Sequence, residues 1–145
     1  MGRYMGLDYG SKTVGIAFSD EMKIIASPEE TVFREREGQI RKTLRRITQL
    51  AAEKNVETIV VGDPVNMNGT RGERSEKSRA FAEQLRYRLS CEDLDIPVVM
   101  WDERLTTVEA DGILEESEID PEKRKTYIDK IAAALILDDW MKMQK

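Results

Sequence analysis

Thr58–Val61 is a continuous apolar run bounded by Glu57 and Gly62, and a run of that kind reads as a strand buried on both faces. Such a strand needs helices above and below it, and the flanking sequence supplies them. Upstream, Ile40, Leu44, Ile47 and Ala51 recur at helical spacing, which predicts an amphipathic helix over Gly38–Lys54 with Asn55 as its stop. Downstream, a turn-rich loop from Gly62 to Gly72 leads into a helix whose inner face is Phe81, Leu85 and Leu89. Pro97–Trp101 then reads as a second buried strand.

The N-terminal third has a different rhythm. Tyr4–Asp8 and Val14–Ser19 are short and β-prone, and Tyr9-Gly10-Ser11-Lys12-Thr13 between them reads as a hairpin loop. A third strand is expected at Ile24–Ala26, interrupted by Ser27-Pro28 and resuming at Thr31–Phe33. Near the C-terminus, Thr106 and Glu109 have capping-box spacing with Leu105 placed as a hydrophobic staple, predicting a helix to about Glu116. Asp120-Pro121 can open a last helix, or Lys123-Arg124-Lys125 can remain a loop; from Tyr127 the pattern is helical.

Strands joined by short loops pair antiparallel, and strands separated by helices pair in parallel. The expected fold is therefore α/β: a mixed five-stranded sheet, three antiparallel strands plus two parallel, with helices on both faces. The 145 residues suit a single domain over 1–145, without repeat or linker. No membrane-spanning run or signal peptide is visible, and a lone cysteine, Cys91, points to a reducing compartment; the expectation is a cytoplasmic protein.

Histidine is absent. That excludes Ser–His and Cys–His catalysis and any imidazole general base, and with one cysteine it excludes a structural zinc site of the usual ligands. With 28 acidic residues, carboxylate–metal chemistry is the natural default. Asp8 ends an apolar strand, where a charge is costly unless paired or metal-bound, and Gly6 and Gly10 flank it. Glu103 follows the strand ending near Trp101, and neighbouring Asp102 could exchange roles with it, since alternation alone does not choose between them. Asp129 lies on the last helix, where Ala132 and Ala133 would let the helix approach the sheet. Asp63, at the end of a central strand, is either a fourth acid at the site or the start of a turn. Mg²⁺ or Mn²⁺ suits such oxygen donors, and two ions roughly 4 Å apart could activate water and stabilise the leaving oxygen of a phosphodiester.

The net charge of −5 argues against nucleic acid as a partner until its distribution is considered. Six basic residues crowd Arg34–Arg46 and six more Arg71–Arg88. The first run reads as a solvated helix face. The second follows the loop carrying Asn66, Asn68 and Thr70 and opens a helix, where free N–H groups favour phosphate, so Arg71, Arg74 and Lys77 are candidate backbone contacts. A capping box from Thr70 to Glu73 explains part of the same pattern. Lys12 and Arg104 complete the candidate nucleic-acid-binding set. Tyr9 and Trp101 flank the acids and could stack on a base, with core packing the stronger expectation for Trp101.

Four motifs occur in order along nearly the whole chain: Gly6-Leu7-Asp8-Tyr9-Gly10-Ser11-Lys12-Thr13-Val14-Gly15-Ile16-Ala17; Val61-Gly62-x-Pro64-x-Asn66-Met67-Asn68-Gly69-Thr70; Asp102-Glu103-Arg104-Leu105-Thr106-Thr107; and Asp129-Lys130-Ile131-Ala132-Ala133-Ala134-Leu135-Ile136-Leu137. Together they resemble the YqgF/RuvX family, described as pre-16S rRNA nucleases and earlier as Holliday junction resolvases. The resemblance implies a ribonuclease H-like fold, with Asp8, Glu103 and Asp129 as metal-binding acids. It also implies maturation of the 5′ end of pre-16S ribosomal RNA in a bacterial cytoplasm. Asp63 departs from the pattern, which has an apolar residue such as Leu there.

Two other readings use the same residues. Cleavage of branched, four-way DNA junctions would require a homodimer, whereas RNA processing is compatible with a monomer. A nucleic-acid-binding factor in ribosome assembly or transcription would need no catalysis. A nucleotide-binding reading is weaker, because actin-like ATPases share the first hairpin but bind nucleotide between two domains.

Overall fold

Alternation along the first two strands decides the layering. In the computed structural model, which describes residues 2–64, 72–102 and 121–144, β1 (Arg3–Tyr9) and β2 (Thr13–Ser19) form the expected antiparallel hairpin. Met5, Leu7, Val14, Ile16 and Phe18 all point to one face and are buried there. The residues between them are small or polar: Gly6, Asp8, Gly15 and Ala17 face the other way.

β4 (Val56–Asp63) lies parallel to β1, and β5 (Val98–Asp102) parallel to β4, giving the order β3-β2-β1-β4-β5. The mixed sheet is the one expected. β3 differs from expectation: it is one continuous strand, Ala26–Phe33, with Pro28 inside it opposite Ala17 and a register shift beside that pair. A proline is tolerated because β3 is an edge strand and the missing N–H costs no central ladder bond. Ile24 and Ile25 precede the strand and are exposed.

α1 (Arg41–Glu53) and α2 (Glu73–Cys91) cover the first face, where Leu44, Ile47, Phe81, Leu85 and Leu89 complete the main core. α1 starts at Arg41 rather than Gly38, and Asn55 follows its end with φ 53°, the left-handed conformation that stops a helix. α3 (Pro121–Lys142) runs unbroken through Lys123–Lys125 and covers the opposite face. There Ile136, Leu137 and Met141 pack on Val60, and Ala133 and Ala134 on Ala17. The helix predicted from Thr106 to Glu116 lies outside the described residues. No helix among the described residues is long and apolar enough to cross a membrane.

α3 approaches the sheet at the level of main chain. A Cβ on Gly6 would lie 2.6 Å from the Ala133 carbonyl oxygen, and one on Gly15 only 1.9 Å from that of Asp129. Glycine at these two positions is what permits the helix to sit there.

Candidate functional site

Asp8 is the cross-strand neighbour of Gly15, and the Asp129 main chain rests on Gly15. The sheet therefore brings Asp8 and Asp129 to one face, at the end where β1 turns into β2. Asp129 is half-buried, and this burial pushes its carboxyl above the usual aspartate range; a hydrogen bond from the Thr13 hydroxyl partly offsets the shift. Thr13 opens β2, so the hairpin both shields this acid and orients it. Its role was not legible in sequence, because nothing in the Ser11-Lys12-Thr13 loop marks one hydroxyl as a partner of a residue more than a hundred positions away.

Glu103, Arg104, Asn66, Asn68, Thr70 and Arg71 lie outside the described residues. Among the described residues, no group of three or more acids or thiols could hold a metal ion; the pair Asp8 and Asp129 is what the sheet assembles. On β5, Val98 and Met100 belong to the α1/α2 core, and Val99 and Trp101 to the α3 layer. By the same alternation Asp102 falls on the α1/α2 face, away from Asp8.

Asp63 also lies away from that pair. It is 3 % exposed, and its carboxylate accepts from the Ser75 hydroxyl and from Arg79 Nη2 at 3.1 Å, both on α2. The strand-end acid thus ties β4 to α2 on the opposite face of the sheet from Asp8. The alternative in which Asp63 joins the acidic pair is corrected by this placement. Sequence could not decide it, because both faces of β4 are buried and alternation leaves no trace there.

Arg74 and Lys77 sit near the start of α2 and both bond to Glu37, at 2.9 and 3.1 Å. These two cations, Arg74 first, hold the Glu37 carboxyl below its usual range. Lys12 is exposed on the hairpin loop. Tyr9, expected beside the acids, instead turns to the α1/α2 face, where it stacks on Phe81 with centroids 4.5 Å apart. The Arg34 and Arg74 guanidinium groups lie 4.7 and 5.6 Å from its ring. Trp101 packs in the α3 layer and donates to Asp139 Oδ2 at 2.6 Å, in line with its core reading.

Arg34 escaped the sequence reading altogether. It falls in a basic run that looked like a solvated face, yet it is 8 % exposed. Nη2 donates to the Gly10 carbonyl at 2.5 Å and Nε to that of Glu37 at 3.3 Å. Main-chain acceptors carry no sequence signature, so its burial could not be foreseen.

Residues 2–143 match a family model described as RuvX, Holliday junction resolvase. A relative from Lachnospira eligens, named "Putative pre-16S rRNA nuclease", is 47 % identical over 143 residues, covering 99 % of each chain. One of the same name from Agathobacter rectalis is 48 % identical over 139 residues, covering 96 % of this chain and 94 % of its own. Among solved structures, T. thermophilus RuvC in complex with a Holliday junction substrate aligns over 99 % of this chain and 96 % of its own, with TM-score 0.61 at 14 % identity. The yeast mitochondrial Holliday junction resolvase Ydc2 aligns over 99 % of this chain and 79 % of its own, with TM-score 0.54 at 13 % identity. At those identities the likeness is one of fold, and the fold is ribonuclease H-like.

Proposed function

The chain belongs to the RuvX family, and from that we propose that it is a Mg²⁺- or Mn²⁺-dependent nuclease that hydrolyses phosphodiester bonds of structured nucleic acid, its substrate being the 5′ end of pre-16S ribosomal RNA. The observation that carries the reading is the convergence of Asp8 and Asp129 across Gly15. The names borne by relatives matched along nearly the full length support this choice of substrate. The reading has residues 1–145 act as one nuclease domain in the bacterial cytoplasm.

A divalent cation fits this pair. Burial disfavours the charged form of Asp129, and a cation beside Asp8 would offset that penalty. The donors are oxygens, as Mg²⁺ requires, and Glu103 is the third ligand in this proposal. When bound, the ion supplies a Lewis acid for the phosphoryl oxygens and lowers the pKa of a bound water. The chain's own contribution is placement. β1 fixes Asp8, the Thr13 hydroxyl holds the Asp129 carboxylate in one orientation, and the main-chain contact with Gly15 sets the spacing.

The test compares wild type with Asp8→Asn on precursor ribosomal RNA, duplex DNA, single strands and a four-way junction, with and without Mg²⁺. RNA cleavage that needs both metal and Asp8 is the expected result. Metal-independent cutting, or unchanged cutting by Asp8→Asn, would refute it. Junction resolution is the second reading, favoured by the description of the family model; it requires preferential cutting of the junction by a dimer in solution.

A further inference from the structure

We infer that the hairpin end of the sheet carries a second, non-catalytic anion site, on the face opposite Asp8 and Asp129, that takes a phosphate of the substrate's sugar–phosphate backbone. It rests on the reading of the protein as one that acts on nucleic acid. Its centre is Arg34.

Three independent features meet there. Arg34 is a buried cation that lies over the Tyr9 ring; among the described residues its hydrogen bonds go only to the carbonyls of Gly10 and Glu37, and no carboxylate lies at ion-pair distance from it. Its Nη1 is buried and has no acceptor among the described residues. A buried guanidinium without a counter-ion is costly, and an orphaned donor adds to the cost. Second, a cavity of about 500 Å³ lies against Arg34, lined also by Gly38, Ile40, Arg41 and Lys42, with Glu35 as its acidic member.

Third, α1 begins at that cavity with its N-terminus uncapped. Ile40 occupies the cap position and makes no side-chain bond to the helix. The first turn has no acid; it carries Arg41 and Lys42, the opposite of what a helix dipole favours. A helix of 13 residues with free N–H groups, two cations in its first turn and a buried arginine beside it calls for an anion from outside. Sulfate or free phosphate would satisfy the chemistry, but position favours a polymer. Arg34 bonds Gly10, two residues beyond Asp8 in the same hairpin, so one strand draped over the β1–β2 turn could reach both faces.

The experiment uses the full chain carrying Asp8→Asn, so that RNA is bound but not cut, and measures affinity for a single-stranded RNA against salt. Arg41→Glu with Lys42→Glu changes two exposed side chains. This variant should keep its circular dichroism and melt no lower than the parent, since acids suit a helix N-terminus, but bind RNA about tenfold or more weakly, with the salt slope reduced by about 0.7 per lost phosphate contact. Arg34→Gln should lose affinity in the same way, and a melting curve checks that it is folded. Inorganic phosphate, titrated alone, should raise Tm only at millimolar concentrations or above. Folded variants that bind RNA as wild type does, with an unchanged slope, would overturn the site. So would tight binding of inorganic phosphate that does not compete with RNA. If wild type cuts nothing yet binding depends on Arg34, the nuclease reading fails and this one stands; if cutting is normal and Arg34 is irrelevant to binding, the reverse holds.

Discussion

Gly15 and Asp129 touch through main chain: a side chain on the glycine would lie 1.9 Å from the aspartate carbonyl oxygen and 2.1 Å from its carbonyl carbon. Gly15→Ala must therefore push α3 off the sheet or distort β2. We expect a loss of at least about 3 kcal/mol, because overpacking at backbone offers no rotamer to relieve it. Urea unfolding measures that loss. Any folded fraction should cleave RNA poorly, since Asp129 moves with the helix. A wild-type melting curve would show that the contact is not rigid.

Asp129→Asn should abolish cleavage and yet stabilise the metal-free protein, raising Tm by roughly 1–3 °C. The sign follows from the raised carboxyl. Folding is penalised as pH rises from the ordinary aspartate range through the raised value, because the unfolded chain ionises first. Melting curves in chelator between pH 3 and 7 should show that penalty in wild type and its absence in the variant.

Asp63 should matter for stability and not for catalysis. Asp63→Ala leaves Ser75 and the partly exposed Arg79 without their shared acceptor, at a cost of about 2 kcal/mol; Ser75→Ala should cost about 1 kcal/mol. Cleavage rates of both, measured well below Tm, should stay within about twofold of wild type. A hundredfold loss would place Asp63 back among the reacting groups.

Glu37 joins the segment before α1 to the start of α2 through Arg74 and Lys77. Its depressed carboxyl contributes stability that is full above the ordinary glutamate range and lost as pH falls through the lower folded value. Glu37→Gln should lower Tm at neutral pH and flatten its dependence in acid. Identical pH profiles for the two proteins would contradict this.

The sheet was legible because strand and helix periods alternate cleanly. The five strands, their division into three antiparallel and two parallel, and the buried positions Phe81, Leu85 and Leu89 follow from pattern; the order β3-β2-β1-β4-β5 comes from the assembled sheet. Asp8 was legible as a charge at the end of an apolar strand, and Asp129 from the alanines beyond it. What escaped depends on which face a side chain takes when both faces are buried, as for Asp63, or on main-chain acceptors, as for Arg34. The continuity of β3 across Pro28 escaped for a third reason. It depends on edge position, a property of the assembled sheet rather than of the segment.

The two faces of the sheet are packed by different means. The α1/α2 side is built from large side chains; on the α3 side Ile136, Leu137 and Met141 pack likewise on Val60, but the stretch beside Asp129 is a seam of glycines and alanines against backbone. Errors and improvements in these layers should propagate differently. Large side chains have alternative rotamers, so the first layer can drift through many compatible combinations while the spacing of the acids is held elsewhere. Protein engineers can thus treat the Leu, Ile and Phe layer as a reservoir of tolerated variation, and the small-residue seam as the part that must be inherited whole.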